Sequence, residues 1–266
     1  MTVVSSLSAE QKANANIIVA RCIAKGITNH FSQGAILAIA LKESNLNFAA
    51  GEISYSKTSN DRIRKIFSKT KALSDDTLSA LKANTKAFFD FVYNGIAGNG
   101  PTDGYKFRGR GYNQLTGRGN YKANGKKIGY DLENNPDLLS TNATVAADSL
   151  IQYFKDTFET AKRLGKLAQY NSTGINDFKN TTDSLNAFYH ANAGWGKTAA
   201  AIKADPTGGL AKSKSTVSDF YTLVSKGVAE NKGATGGGLF FLILTGVLIY
   251  KRKAIGEFIK KQTSKK

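Results

Sequence analysis

The chain has one cysteine, three prolines, one tryptophan, one methionine and two histidines in 266 residues. Cys22, standing alone, forms no intrachain disulfide and excludes a metal site built on cysteine. His30 and His190 lie far apart with no ligand spacing, so no metal or cofactor is expected and each reads as a packing or surface residue. The Gly-x-x-x-x-Gly-Lys-Ser/Thr run of a phosphate cradle is absent. Strand-type alternation is weak throughout. Acidic residues are also few, 20 against 37 lysines and arginines, for a net charge of +17 that calls for an anionic partner. The basic residues form no recognisable nucleic-acid module, so no nucleic-acid partner is expected and an acidic cell envelope fits better.

What is present is mostly helical in pattern. Ser8-Ala-Glu-Gln11 has the form of a capping box, and Ile17, Ile18, Cys22 and Ile23 follow at helical spacing. A second helix is expected from about Gln33 to Ser44, with Ile36, Ile39, Ala40 and Glu43 on one face. Glu43 thus closes an apolar stripe, where its charge would be poorly solvated. Residues 75–94 read as one helix with Leu78, Leu81, Phe88, Phe89 and Val92 as its core face. Asp131 to Leu139 reads as a turn into a short helix, and Ala143–Leu164, Asp183–Tyr189 and Ser218–Val228 as further helices. Residues 1–229 are therefore expected to form a mainly α domain.

The composition then changes. Residues 230–238 read as a glycine-rich linker, and twelve uncharged residues from Leu239 to Tyr250 run into Lys251-Arg-Lys253. This run is short against the about 20 apolar residues of a membrane span. Its isolation by the linker and its basic flank nonetheless favour a membrane anchor over 239–253, with 254–266 as a basic tail; residues 251–266 together supply +6 of the net charge. By the positive-inside rule the tail lies on the cytoplasmic side and the large domain across the membrane. No secretory signal is expected, because Met1 to Ala15 lacks a basic start and an apolar run. A phage protein, carried in a virion membrane or released to the host envelope, suits that arrangement.

The most informative stretch is residues 107–121, Phe-Arg-Gly-Arg-Gly-Tyr-Asn-Gln-Leu-Thr-Gly-Arg-Gly-Asn-Tyr. Gly109, Gly111, Gly117 and Gly119 permit turns closed to other residues. Between them, neutral hydrogen-bonding side chains sit beside aromatic faces, which suits a sugar ring with hydroxyls at its rim and C–H bonds on its faces. This stretch resembles the G-R-G-x-x-Q-L-T-G-R-x-N-Y signature of family 19 glycoside hydrolases, the chitinase group that includes many phage endolysins. The resemblance runs from about Ile36 to Trp195.

The resemblance implies a lysozyme-like helical fold and an inverting glycosidase. Such a reaction needs two carboxyl groups about 6.5–9.5 Å apart, one protonated to the leaving oxygen and one activating water. Glu43 fits the acid by its place on the helix. Glu52, the next carboxylate, fits the base, and Thr58 offers a hydroxyl to hold the water. Glu43, Glu52 and Thr58 also keep the spacing of phage-type lysozymes. By match to the signature, Gln114 and Asn120 would bind sugar, Thr116 would orient water, and Tyr112 and Tyr121 would wall the cleft, with plain core packing the rival reading for Tyr121. Asn192, in His190-Ala-Asn-Ala-Gly194, is a further candidate sugar ligand. Arg108, Arg110 and Arg118 would brace the loop through carboxylates. The chain departs from the family where a histidine usually precedes the acid, which is Lys42 here, and where Gly-Gly often follows it, which is Asn45-Leu46.

The reading is a peptidoglycan-degrading glycoside hydrolase of endolysin type. The polymer is expected to be peptidoglycan rather than chitin, because disulfides and a chitin-binding module are absent and the surface is basic. A chitinase, or a non-catalytic wall-binding virion protein, is the alternative.

Overall fold

The computed structural model describes residues 6–204 and 209–233. Among them the elements are helical: α1 (Ala9–Ala24), α2 (His30–Ser44), α3 (Asn60–Ile66), α4 (Asp75–Ala83), α5 (Thr85–Tyr93), α6 (Arg118–Ile128), α7 (Leu138–Thr141), α8 (Ala143–Arg163), α9 (Thr181–Ala193), α10 (Ala199–Ala204) and α11 (Gly209–Gly233). No sheet forms among the described residues. The one strand-like pairing found there is an isolated antiparallel bridge between Arg110 and Leu115. The mainly α, lysozyme-like architecture expected from sequence is supported.

Helix α2 is the axis of the core. Ile36, Leu37, Ile39 and Ala40 have no exposed surface, so the helix is buried on every side rather than along one stripe. Around it pack α1, α8, α9 and α11, which contribute Ile18, Leu150, Phe154, Phe188 and Phe220 to a single cluster. The backbones of α2 and α11 come so close at Gly34 that an added Cβ would lie 3.1 Å from the Tyr221 nitrogen. Phe31 stacks on Tyr221 beside that contact, with ring centroids 4.4 Å apart. Arg21 of α1 forms a two-pronged ion pair with Asp148 of α8, at 2.6 and 2.8 Å, and Asp148 is buried. Two smaller clusters flank the main core. One gathers Phe107, Leu115, Tyr121, Ile128 and Leu139 under the signature loop; the other gathers Ile63, Phe67, Leu78, Phe88 and Phe89 between α3, α4 and α5.

Local signals explain where the helices start and stop. The Ser8–Gln11 capping box forms as expected. The helix expected over 75–94 is two helices, because Asn84 takes an extended conformation and its side chain caps the next helix by accepting from the Ala87 N–H. Helix α11 extends well beyond the expected 218–228 in both directions.

The C-terminal expectations need correction. Helix α11 runs to Gly233, past the expected domain end at 229 and into the expected linker. The rest of that linker, the 239–253 segment and the 254–266 tail lie outside the described residues. Among the described residues no helix is long and apolar enough to cross a membrane. The transmembrane helix, the membrane partner and a membrane-anchored location are therefore withdrawn. Their basis was the glycine-rich linker and the basic flank of a twelve-residue run, and the run itself is well short of the about 20 residues that a span requires.

Candidate active site

Glu43 lies in the last turn of α2, and the end of that helix sets its surroundings. Asn45 and Leu46 both take left-handed conformations, with φ of +56° and +55°, where the family often carries glycines. Tertiary contacts hold this strained turn. Leu46 is fully buried, Asn14 Nδ2 donates to its carbonyl at 2.8 Å, and Gln11 Nε2 donates to the Asn45 carbonyl at 3.1 Å.

The Glu43 side chain is 25% exposed, so it does not sit in the dry pocket its helical face suggested. Its Oε1 accepts from Lys42 Nζ at 2.5 Å and from Asn192 Nδ2 at 2.9 Å. Oε2 has no protein partner among the described residues. Asn192, brought in by α9 from 149 positions away, is thus placed directly on the acid. Tyr153 holds that junction by donating to the Ala191 carbonyl at 3.2 Å, and burial, then the Glu43 charge, pushes its phenol pKa up.

Glu52 sits in the loop after α2, and the signature loop grips it. The two chains exchange backbone contacts: the Glu52 N–H donates to the Gly109 carbonyl at 3.0 Å, and Arg108 Nε donates to the Glu52 carbonyl at 3.1 Å. The carboxylate receives three donors. Tyr93 Oη reaches Oε1 at 2.6 Å, Tyr55 Oη reaches Oε1 at 3.2 Å, and the Gly109 N–H reaches Oε2 at 2.9 Å. A Cβ at position 109 would stand 3.0 Å from Gln114 Oε1 and 3.2 Å from Glu52 Oε2, which accounts for glycine there. Burial and the Glu52 charge push the Tyr55 phenol up to about 12 and that of Tyr93 higher still. Both phenols therefore remain donors at neutral pH, and the Glu52 oxygens face them as acceptors.

The other expected residues divide by position. Thr58 ends a turn in which its N–H donates to the Tyr55 carbonyl, and its own carbonyl accepts from the buried Lys82. Its hydroxyl has no protein partner among the described residues. Gln114, at φ +50°, donates through Nε2 to the carbonyls of Ala50 and Gly111 and ties the signature to the Glu52 loop. Thr116 Oγ1 donates to the Gln114 carbonyl at 2.9 Å, and the exposed Asn120 donates to the Thr116 carbonyl at 2.7 Å.

Tyr112 and Tyr121 are corrected: neither ring has exposed surface, so neither walls a cleft. Tyr112 packs edge-on to Phe48 in the main core, and Tyr121 donates to the Arg108 carbonyl beneath the loop. Of the three arginines, Arg110 pairs with Asp137 at 2.8 Å and Arg118 with Glu133 at 2.8 Å, as expected. Arg108 uses carbonyls instead and lies over the Tyr105 ring at 4.2 Å.

Sequence reasoning missed Tyr93, Tyr55 and Tyr153. Tyr55 lies only three positions after Glu52, a local signal, but was given no role. Tyr93 carried no local signal, since it reads as one more aromatic on a helix that is otherwise core. His190, read as a packing or surface residue, is buried between the Tyr170 hydroxyl at 2.7 Å and the Lys197 carbonyl at 2.9 Å. Among the described residues no group of His, Cys, Asp and Glu could hold a metal ion.

Comparison with known proteins agrees with this geometry in part. Residues 86–165 match the family model described as chitinase class I, of glycoside hydrolase family 19. An acidic 27 kDa endochitinase of Solanum lycopersicum is 51% identical over 51 residues, 19% of this chain and 21% of its own length. An acidic endochitinase of Petunia hybrida is 49% identical over 57 residues, 21% of this chain and 22% of its own. A glycosyl hydrolase family 19 domain-containing protein of Haemophilus influenzae is 35% identical over 85 residues, 30% of this chain and 42% of its own. The chain thus spans only about a fifth of the plant relatives. The glycoside hydrolase expected from the signature is the enzyme class these matches support. The family match takes in the signature and Tyr93, while Glu43, Glu52 and Asn192 fall outside it. The matched relatives are plant chitinases and a bacterial protein, so the bacteriophage and virion setting is withdrawn.

Proposed function

We propose that the chain is a family 19-type glycoside hydrolase that cleaves β-1,4 bonds between N-acetylated aminosugars by a single inverting displacement. Glu43 protonates the leaving glycosidic oxygen. Glu52 takes a proton from a water that attacks the anomeric carbon from the opposite face, with Thr58 as a further contact for that water. Asn192 orients the acid, and Gln114 and Asn120 are the proposed sugar contacts of the signature loop. The observation that carries this reading is the grip of the signature on Glu52, whose carboxylate accepts from the Gly109 N–H and from Tyr93. Lys42 and Asn192 both donate to Oε1 of Glu43, which leaves Oε2 as the oxygen with no protein donor among the described residues and so the one offered to substrate.

The names of the plant relatives favour a chitin-type polymer as substrate. A peptidoglycan glycan is the second reading, and the net charge of +17 favours it, because an acidic polymer would be drawn to this surface. The test is turnover of a chitin oligomer and of peptidoglycan by the wild type, Glu43→Gln and Glu52→Gln, with the anomer of the first product followed by NMR. Each variant is expected to lose about 10²–10⁴-fold in rate. Full activity in Glu43→Gln, or retention of configuration, would overturn the assignment.

A further inference from the structure

Beside the acid, between α2 and α11, lies a hollow of about 640 Å³ whose donors differ from those of a neutral sugar site. Ala38 and Leu41 of α2 form its apolar wall, Ser213 and Thr216 of α11 its inner side, and Lys42 and Lys212 its charged edge. The two hydroxyls are already spent, Ser213 Oγ donating to the Gly209 carbonyl and Thr216 Oγ1 to the Ser213 carbonyl, both at 2.9 Å. The ammonium groups are therefore the donors left to a ligand. Lys212 is exposed and makes no ion pair among the described residues. Lys42 is held in place by the Tyr189 ring, 5.1 Å from its Nζ, and by Glu43, 2.5 Å away. Its aliphatic stem lies where a side chain at Gly209 would otherwise go, 2.7 Å from the Cβ such a residue would have.

We propose that this hollow is a subsite for a carboxylate-bearing substituent on the sugar bound next to Glu43. An aliphatic wall with two ammonium groups fits a short alkyl chain ending in a carboxylate, as in the acidic substituents of a peptidoglycan strand. Unsubstituted chitin has nothing to place there. Because Lys42 belongs to both the hollow and the acid, an anion in the hollow competes with Glu43 for the same ammonium. Occupancy then loosens the Lys42 contact on Oε1 while Asn192 remains. Recognition of the acidic substituent is thus coupled to the freedom of the acid. The inference rests on the hydrolase reading for its place in catalysis, but the hollow binds anions whether or not that reading holds.

The experiment uses the full chain and three polymers: peptidoglycan strands, the same strands with their carboxylates amidated, and a chitin oligomer. Binding is measured by co-sedimentation or calorimetry, and turnover in parallel. The variants are Lys212→Gln, Lys212→Arg, and Lys126→Gln as a control of equal charge change on α6. Wild type is expected to bind native strands more tightly than amidated ones. Lys212→Gln is expected to weaken native binding, and to raise KM, about fivefold while leaving the amidated strands and the chitin oligomer unchanged. Lys212→Arg restores the preference, Lys126→Gln does not disturb it, and added salt shrinks it. Equal binding of native and amidated strands, or equal effects of Lys212→Gln and Lys126→Gln, overturns the subsite and leaves the hydrolase reading standing. Failure of the wild type to cleave any of the three polymers overturns the hydrolase reading, while the binding comparison still decides the subsite.

Discussion

The hydroxyl of Tyr93, at the end of α5, donates to Glu52 Oε1 at 2.6 Å, although 41 positions separate the two residues. A hydrogen bond of that length to a carboxylate is charge-assisted and fixes the direction in which the carboxylate points. Tyr93 itself is held in an aromatic cluster, stacked on Phe89 and edge-on to Phe67. The small core of α3, α4 and α5 therefore serves the site by aiming one oxygen atom.

Removing that donor should lower turnover without removing the substrate grip. Tyr93→Phe is expected to cut kcat about tenfold with KM little changed, in keeping with the loss of one hydrogen bond to a charged group. Steady-state kinetics on the cleaved polymer separates the two parameters. A rise in KM with kcat intact would make Tyr93 a binding residue instead.

Tyr112 offers the opposite outcome. Its hydroxyl is buried with no hydrogen-bond partner among the described residues, and its ring belongs to the main core. Tyr112→Phe is expected to be neutral or slightly stabilising, because an unsatisfied buried hydroxyl costs about 1–3 kcal/mol. Urea denaturation measures the change, and KM should stay at the wild-type value. A weakened KM would restore Tyr112 to the cleft.

The Arg21–Asp148 pair ties α1 to α8, with the Asp148 side chain only 4% exposed. Arg21→Ala leaves that carboxylate buried, with Lys25 at 3.8 Å as its remaining cation among the described residues. A loss of about 3 kcal/mol in unfolding free energy is expected, the lower end for breaking a buried pair on one side. A loss below about 1 kcal/mol would class the pair with ordinary surface bridges.

Alkaline pH should destabilise the fold through its buried phenols. Burial raises Tyr55, Tyr121 and Tyr170 from the ordinary 10 to about 12. Above pH 10 the unfolded chain releases these protons while the folded chain keeps them, so stability falls as pH rises. Their contribution is complete below pH 10 and is lost through about 12. Melting temperatures measured from pH 9 to 12 should decline with increasing slope past 10. A flat profile would mean that these rings ionise as freely as exposed tyrosines.

The helical pattern was largely legible in the sequence, because capping boxes and helical spacing are local. Ser8 with Gln11, and the long run from Ala143, announce themselves within a few residues. The signature loop was legible for a related reason. Its glycines answer to backbone conformations and close approaches, as at Gly109, that other residues fit poorly. The apolar run after Leu239 was over-read, since composition alone does not supply the missing length of a membrane span.

Residue type and local spacing by themselves determined a mainly α chain with a glycine-rich loop, and singled out two candidate carboxylates at Glu43 and Glu52. Only the tertiary structure decided what those carboxylates touch. It set Asn192 and Lys42 on one and Tyr93, Tyr55 and Gly109 on the other, and it put the rings of Tyr112 and Tyr121 inside the core. The reason is physical. Helix periodicity and turn chemistry act between neighbours in the chain. A hydrogen bond across 41 or 149 positions exists only once packing has fixed both ends.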